Sequence, residues 1–183
     1  ITMALEGLMK VFTFIFLIFF GQPVRSAQNA EAEHHCQSFL TNEATAPIYD
    51  KAIRDLEVDK TAEKWCRLVL EDYGLPLNIK GVVLEGLVHL MMAHTSLGLE
   101  DRKEDAYDLH QQLVMNFPDS ARFLYRAASY ASDVMGKPQE ALVALKARMT
   151  DLREETDTEK QEVKLCQGLL EHLQTIEDSN EEL

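Results

Sequence analysis

Residues 135–149 read MGKPQEALVALKARM. Gly136 can end a helix in the left-handed conformation without a Cβ penalty. Pro138 can open the next one, at a position whose N–H has no partner anyway. Ala141, Leu142, Leu145 and Met149 then recur at helical spacing. Upstream, Leu124, Ala128, Ala131 and Met135 stand at i, i+4, i+7 and i+11, so a helix runs into Gly136 from the other side. The stretch therefore reads as the turn of a helix–turn–helix. Its small Ala141 lets the second helix approach the first closely.

The same reading extends in both directions, and strand signals are nearly absent. A short helix is expected over 31–40. Thr45 can cap another opening at Pro47, with Ile48, Ala52, Ile53 and Leu56 on one side. One more runs from about Thr61 to Tyr73 and stops at Gly74 and Pro76. Asn78 can cap a long helix that turns Val83, Leu87, Leu90, Met91 and Leu97 inward and ends at Gly98. The next covers 103–116 with Ala106, Leu109 and Leu113 inward, before Pro118. After the charged run TDLREETDTEK, a capping box of Thr158 and Gln161 opens a last helix carrying Val163, Cys166, Leu170 and Leu173. The prediction is all-α: short helices in pairs, with a capping helix over 153–177 and an acidic tail over 178–183.

The 183 residues suffice for one domain with a core. Eighteen Lys and Arg face 31 Asp and Glu, a net charge of -13 with no basic stripe, which excludes nucleic acid as a partner. Val11–Phe20 is apolar apart from Thr13 and is preceded by Lys10. Ten helical residues rise only about 15 Å, too short to span a bilayer and right for a signal peptide. Cleavage is expected after Ser26 or Ala27, giving a signal over 1–26 whose residues 1–8 lie upstream of the start at Met9. If it stays uncleaved, this segment is the sole membrane contact. The protein is thus expected to be periplasmic or secreted. In an oxidising compartment Cys36, Cys66 and Cys166 permit one disulfide, its pairing open.

The alanines after each turn, Ala62, Ala106 and Ala141, are spaced by 44 and 35 residues. With Tyr125, Ala128, Ala131, Gly136 and Leu145 around the last, and Leu87, Leu90, Gly98, Leu113 and Pro118 around the middle one, the chain resembles the tetratricopeptide repeat, a helix–turn–helix of about 34 residues. The likeness spans 46–152, after an N-terminal segment over 27–45. It implies an α-solenoid of about three such pairs plus the C-terminal capping helix. It also implies a concave groove lined by the first helix of each pair, which binds an extended peptide or a partner helix. Carried over by position, the groove presents Glu85, Val88, Met92 and Thr95 from one repeat, and Phe123, Arg126, Tyr130 and Asp133 from the next.

Chemistry-bearing motifs are few. A Gly-rich phosphate loop, a Gly-x-Ser-x-Gly elbow and a His-Glu-x-x-His pair are all missing, so no catalytic residue, and no enzyme, is expected. Glu33–Cys36 (EHHC) has donor types for a soft metal but no second anchoring set. In HLMMAH, His89 and Met92 lie one turn apart, yet His89 and His94 are i and i+5 and off one face. Met in such a helix is more often core, so no metal or cofactor is expected. The expected role is an exported interaction or assembly module holding a protein segment in its groove. The alternative is a periplasmic small-molecule or metal binder using the same hollow or the His-His-Cys cluster.

Overall fold

A computed structural model describes residues 27–45, 55–71 and 75–181. The apolar run, the signal cleavage sites and the helix expected from Pro47 lie outside these residues. The described residues form seven α-helices: α1 (Ala27–Thr45), α2 (Leu56–Leu70), α3 (Leu77–Ser96), α4 (Lys103–Asn116), α5 (Ala121–Ser129), α6 (Pro138–Arg148) and α7 (Asp157–Glu181). A π-helical turn, Tyr130–Val134, extends α5, and a 3-10 turn, Met149–Asp151, ends α6. The fold is all-α, with no strand among the described residues.

Each helix packs on its neighbour in sequence, most extensively α3 on α4 and α1 on α2, while α7 lies against both α5 and α6. The core falls into two clusters. Leu84, Leu87, Leu90 and Met91 of α3 centre the first, and Leu124, Leu142 and Leu145 the second. Tyr107 and Phe123 pack against both clusters and join them. Tyr107 also reaches α6, donating its hydroxyl to Glu140 at 2.7 Å.

The turn glycines act as their spacing implies. Gly98 and Gly136 have φ of 65° and 64°. At the end of α3, the Leu99 N–H donates to the His94 carbonyl at 2.9 Å and the Gly98 N–H to Thr95 at 3.1 Å, a Schellman closure. At the end of α5 the ladder is one residue wider: Met135 N–H donates to Tyr130 at 3.1 Å and Lys137 N–H to Ala131 at 2.8 Å. That extra residue turns Met135 from the fully inward position expected of it to a half-buried one. A Cβ on Gly136 would meet nothing within 4 Å, so only backbone strain opposes one. Gly136→Ala is expected to lower stability by about 1 kcal/mol in urea unfolding, and Gly136→Asn by less.

Several boundaries differ from the sequence reading. The first helix spans Ala27–Thr45 rather than 31–40. Helix α2 starts at Leu56, not near Thr61, because the Asp55 carboxylate accepts the Glu57 and Val58 N–H groups at 3.0 and 3.3 Å. Asn78 lies inside α3, which begins at Leu77 after Pro76. The capping box is Thr156 with Glu159, not Thr158 with Gln161. The Glu159 carboxylate accepts the Thr156 N–H at 2.8 Å and the Thr156 hydroxyl accepts the Glu159 N–H at 3.2 Å. Helix α7 continues to Glu181, through most of the stretch read as a tail.

The alanine register holds in two pairs and changes in the first. Ala106 and Ala141, each fourth in its helix, are buried. The fourth residue of α2 is Asp59, whereas Ala62 is only half-buried. A carboxylate stands where the other pairs have a methyl group.

Candidate functional site

Two polar regions stand out, one closed and one open. The closed one starts from Asp59. Its Oδ2 lies 2.9 Å from Nε2 of His94, whose side chain is wholly buried near the end of α3. One turn further along α2, Glu63 takes a bidentate pair from Arg102, both bonds 3.0 Å, and a third from Arg67 at 2.7 Å. Burial disfavours the Glu63 charge, but the hydrogen bonds from Arg102 and Arg67 outweigh it and hold the carboxyl below its ordinary range. The Arg102 backbone N–H donates to the Thr95 hydroxyl at 2.9 Å. Lys60 closes the edge on Glu100 at 2.7 Å. These groups tie α2, α3 and the α3–α4 turn together, with the buried His94 Nδ1 left without a hydrogen-bond partner. Their role is to join the first helix pair to the second.

The open region is a cleft of about 440 Å³ between α3 and α5. Val88, His89 and Met92 line it from α3, and His110 enters from α4. Tyr125, Arg126 and Ser129 face them from α5, and the π-helical turn adds Tyr130, Asp133 and Val134. Val88, Met92, Arg126, Tyr130 and Asp133, all expected at a groove, thus meet at one surface. The other three residues assigned to the groove do not line the cleft. Glu85 holds its end, accepting from Arg126 at 2.8 Å and also from Arg122. Phe123 packs on Phe117 with ring centroids 5.1 Å apart. Thr95 belongs to the closed network.

His89, His110, Tyr125, Ser129 and Val134 were not among the residues expected at the groove. His110 is the most unusual of them. It is 4% exposed, its ring lies tilted on Tyr130 at 5.1 Å between centroids, and its Nδ1 has no hydrogen-bond partner. Burial, with Arg126 and His89 nearby, pushes its pKa down to about 4. The imidazole is therefore neutral at pH 7. Burial likewise pushes the Tyr130 phenol up.

The EHHC cluster is dispersed by the fold. Cys36 is bonded to Cys66, His35 stacks on Trp65 at 5.2 Å, and His34 meets His35 edge-on. Cys166 is the free cysteine, fully buried and donating to the Ala121 carbonyl at 3.3 Å. Burial raises its thiol to about 11, so it stays protonated and unreactive. Among the described residues no three His, Cys, Asp or Glu side chains converge as a metal site, and no helix is long and apolar enough to cross a membrane.

Compared with protein-family models, with curated proteins and with solved structures, the chain finds no match.

Proposed function

We propose that this protein is an exported, non-enzymatic interaction module built on tetratricopeptide-like helix pairs, and that it holds an extended protein segment in the α3–α5 cleft. The observation that carries this reading is the meeting of Val88, Met92 and Tyr130 with Arg126 and Asp133 in one open cleft. An apolar floor with a cation and an anion on its walls suits a segment that alternates apolar and charged side chains. Arg126 is pre-oriented by Glu85, which lowers the entropy lost on binding. The Cys36–Cys66 disulfide suits an oxidising compartment and so favours export.

A displayed peptide library selected against the chain tests this reading, with Ser129→Trp, which fills the cleft, as the counter-selection. Enriched peptides should lose at least about tenfold in affinity for Ser129→Trp and for Arg126→Glu, a loss of about 1.4 kcal/mol. Peptides that bind the filled variant equally well, or no enrichment at all, would reject the cleft as the binding surface.

A further inference from the structure

His89 of α3 and His110 of α4 stand on the two helices joined by the turn at Gly98. Both line the cleft. Met92, one turn after His89 on the same helix, lines it too and brings a thioether to that wall. His110 Nδ1 is buried without a hydrogen-bond partner, which leaves a nitrogen lone pair or N–H unsatisfied inside the protein.

The geometry points to a Cu(I) site in which His89, Met92 and His110 are the ligands. Imidazole and thioether donors together select a soft d10 ion, and the thioether in particular favours Cu(I). No group of three His, Cys, Asp or Glu side chains forms there among the described residues, so neither the four-ligand structural Zn2+ set nor the three-ligand catalytic one is built from them. The site shares Met92 and the cleft with the proposed segment, so the two are tested separately. The copper site is tested on the chain alone, without a peptide, and the peptide selection above is run with copper chelated.

The experiment is a competition for Cu(I) between bicinchoninate and the oxidised chain, kept anaerobic with ascorbate. It is run in a Cys166→Ser background, where the free thiol is gone. One Cu(I) per chain is expected. Met92→Leu and His110→Gln should each weaken binding by at least about tenfold, whereas the exposed His172→Gln should not change it. Methionine methyl NMR provides a readout that does not depend on His110→Gln folding. Cu(I) should shift one methyl resonance strongly, and that resonance should be missing from Met92→Leu, which conserves volume. Failure to take Cu(I) from the chelator, or equal binding by Met92→Leu with no methyl shift, would overturn the site.

Discussion

His94→Leu should destabilise the protein by about 3 kcal/mol, because it removes one partner of a buried polar pair and leaves the other in place. The Asp59 carboxylate is 6% exposed and faces the His94 ring at 2.9 Å, so the substitution leaves that carboxylate against a methyl group. For a domain of this size, 3 kcal/mol corresponds to a fall in Tm of roughly 6–12 °C. The informative comparison is the double variant Asp59→Ala with His94→Leu. It gives α2 the small residue that α4 and α6 carry as Ala106 and Ala141. Removing both partners of a buried pair is nearly neutral where the space can be refilled. The double variant should therefore recover most of the loss, with a coupling energy of about 2 kcal/mol in urea unfolding. Strict additivity of the two single changes would show that Asp59 and His94 contribute independently, and that the pair does not join the helix pairs.

Replacing Cys36 and Cys66 together by Ser should cost about 3.5 kcal/mol and should do so locally. The bond spans 30 residues of sequence, and chain entropy sets the magnitude for a loop of that length. The local character follows from where α1 packs, chiefly on α2 and only slightly on α3. Among the described side chains of α1, Ala32, Cys36 and Phe39 are the buried apolar ones. Leu40 adds a contact over Gly86, where a Cβ would come within 2.1 Å of Leu40 Cδ2, so α1 approaches α3 closely at that glycine. Hydrogen exchange on the Ser variant should show α1 amides losing protection first, while α4 to α7 retain theirs. Equal loss in every helix would mean that α1 is part of the cooperative core rather than clasped onto it.

The helical class was legible because it depends on local rules. The spacing of Leu124, Ala128 and Ala131, a glycine able to take positive φ and a proline at the first helical position act within a few residues of one another. No distant contact is needed to read them. Helix α4 was recovered at both ends for the same reason. Boundaries that depend on competing caps were not. Asp55 sets a start upstream of the one expected near Thr61, and Thr156 caps in place of Thr158, both through hydrogen bonds to backbone N–H groups; a sequence offers several equivalent oxygens for that task.

The cleft was half legible. Groove positions were carried over from the resemblance to the tetratricopeptide repeat, and Val88, Met92, Arg126, Tyr130 and Asp133 were named that way beforehand. Phe123 could not be told from a groove residue, because its pairing with Phe117 needs the α4–α5 crossing. His110 was missed because it sits on the second helix of its pair, and only the hairpin carries it into the cleft.

The sequence by itself determined the all-α class, the Gly98 and Gly136 turns and the acidic surface, each a property of neighbouring residues or of composition. Tertiary structure alone decided three things: that Cys36 meets Cys66, that Asp59 replaces an alanine in order to meet His94, and that His110 faces the same cleft as His89 and Met92. Each is a pairing between residues far apart in the chain. Such pairings are set by how helices cross, and periodicity within one helix carries no record of the crossing.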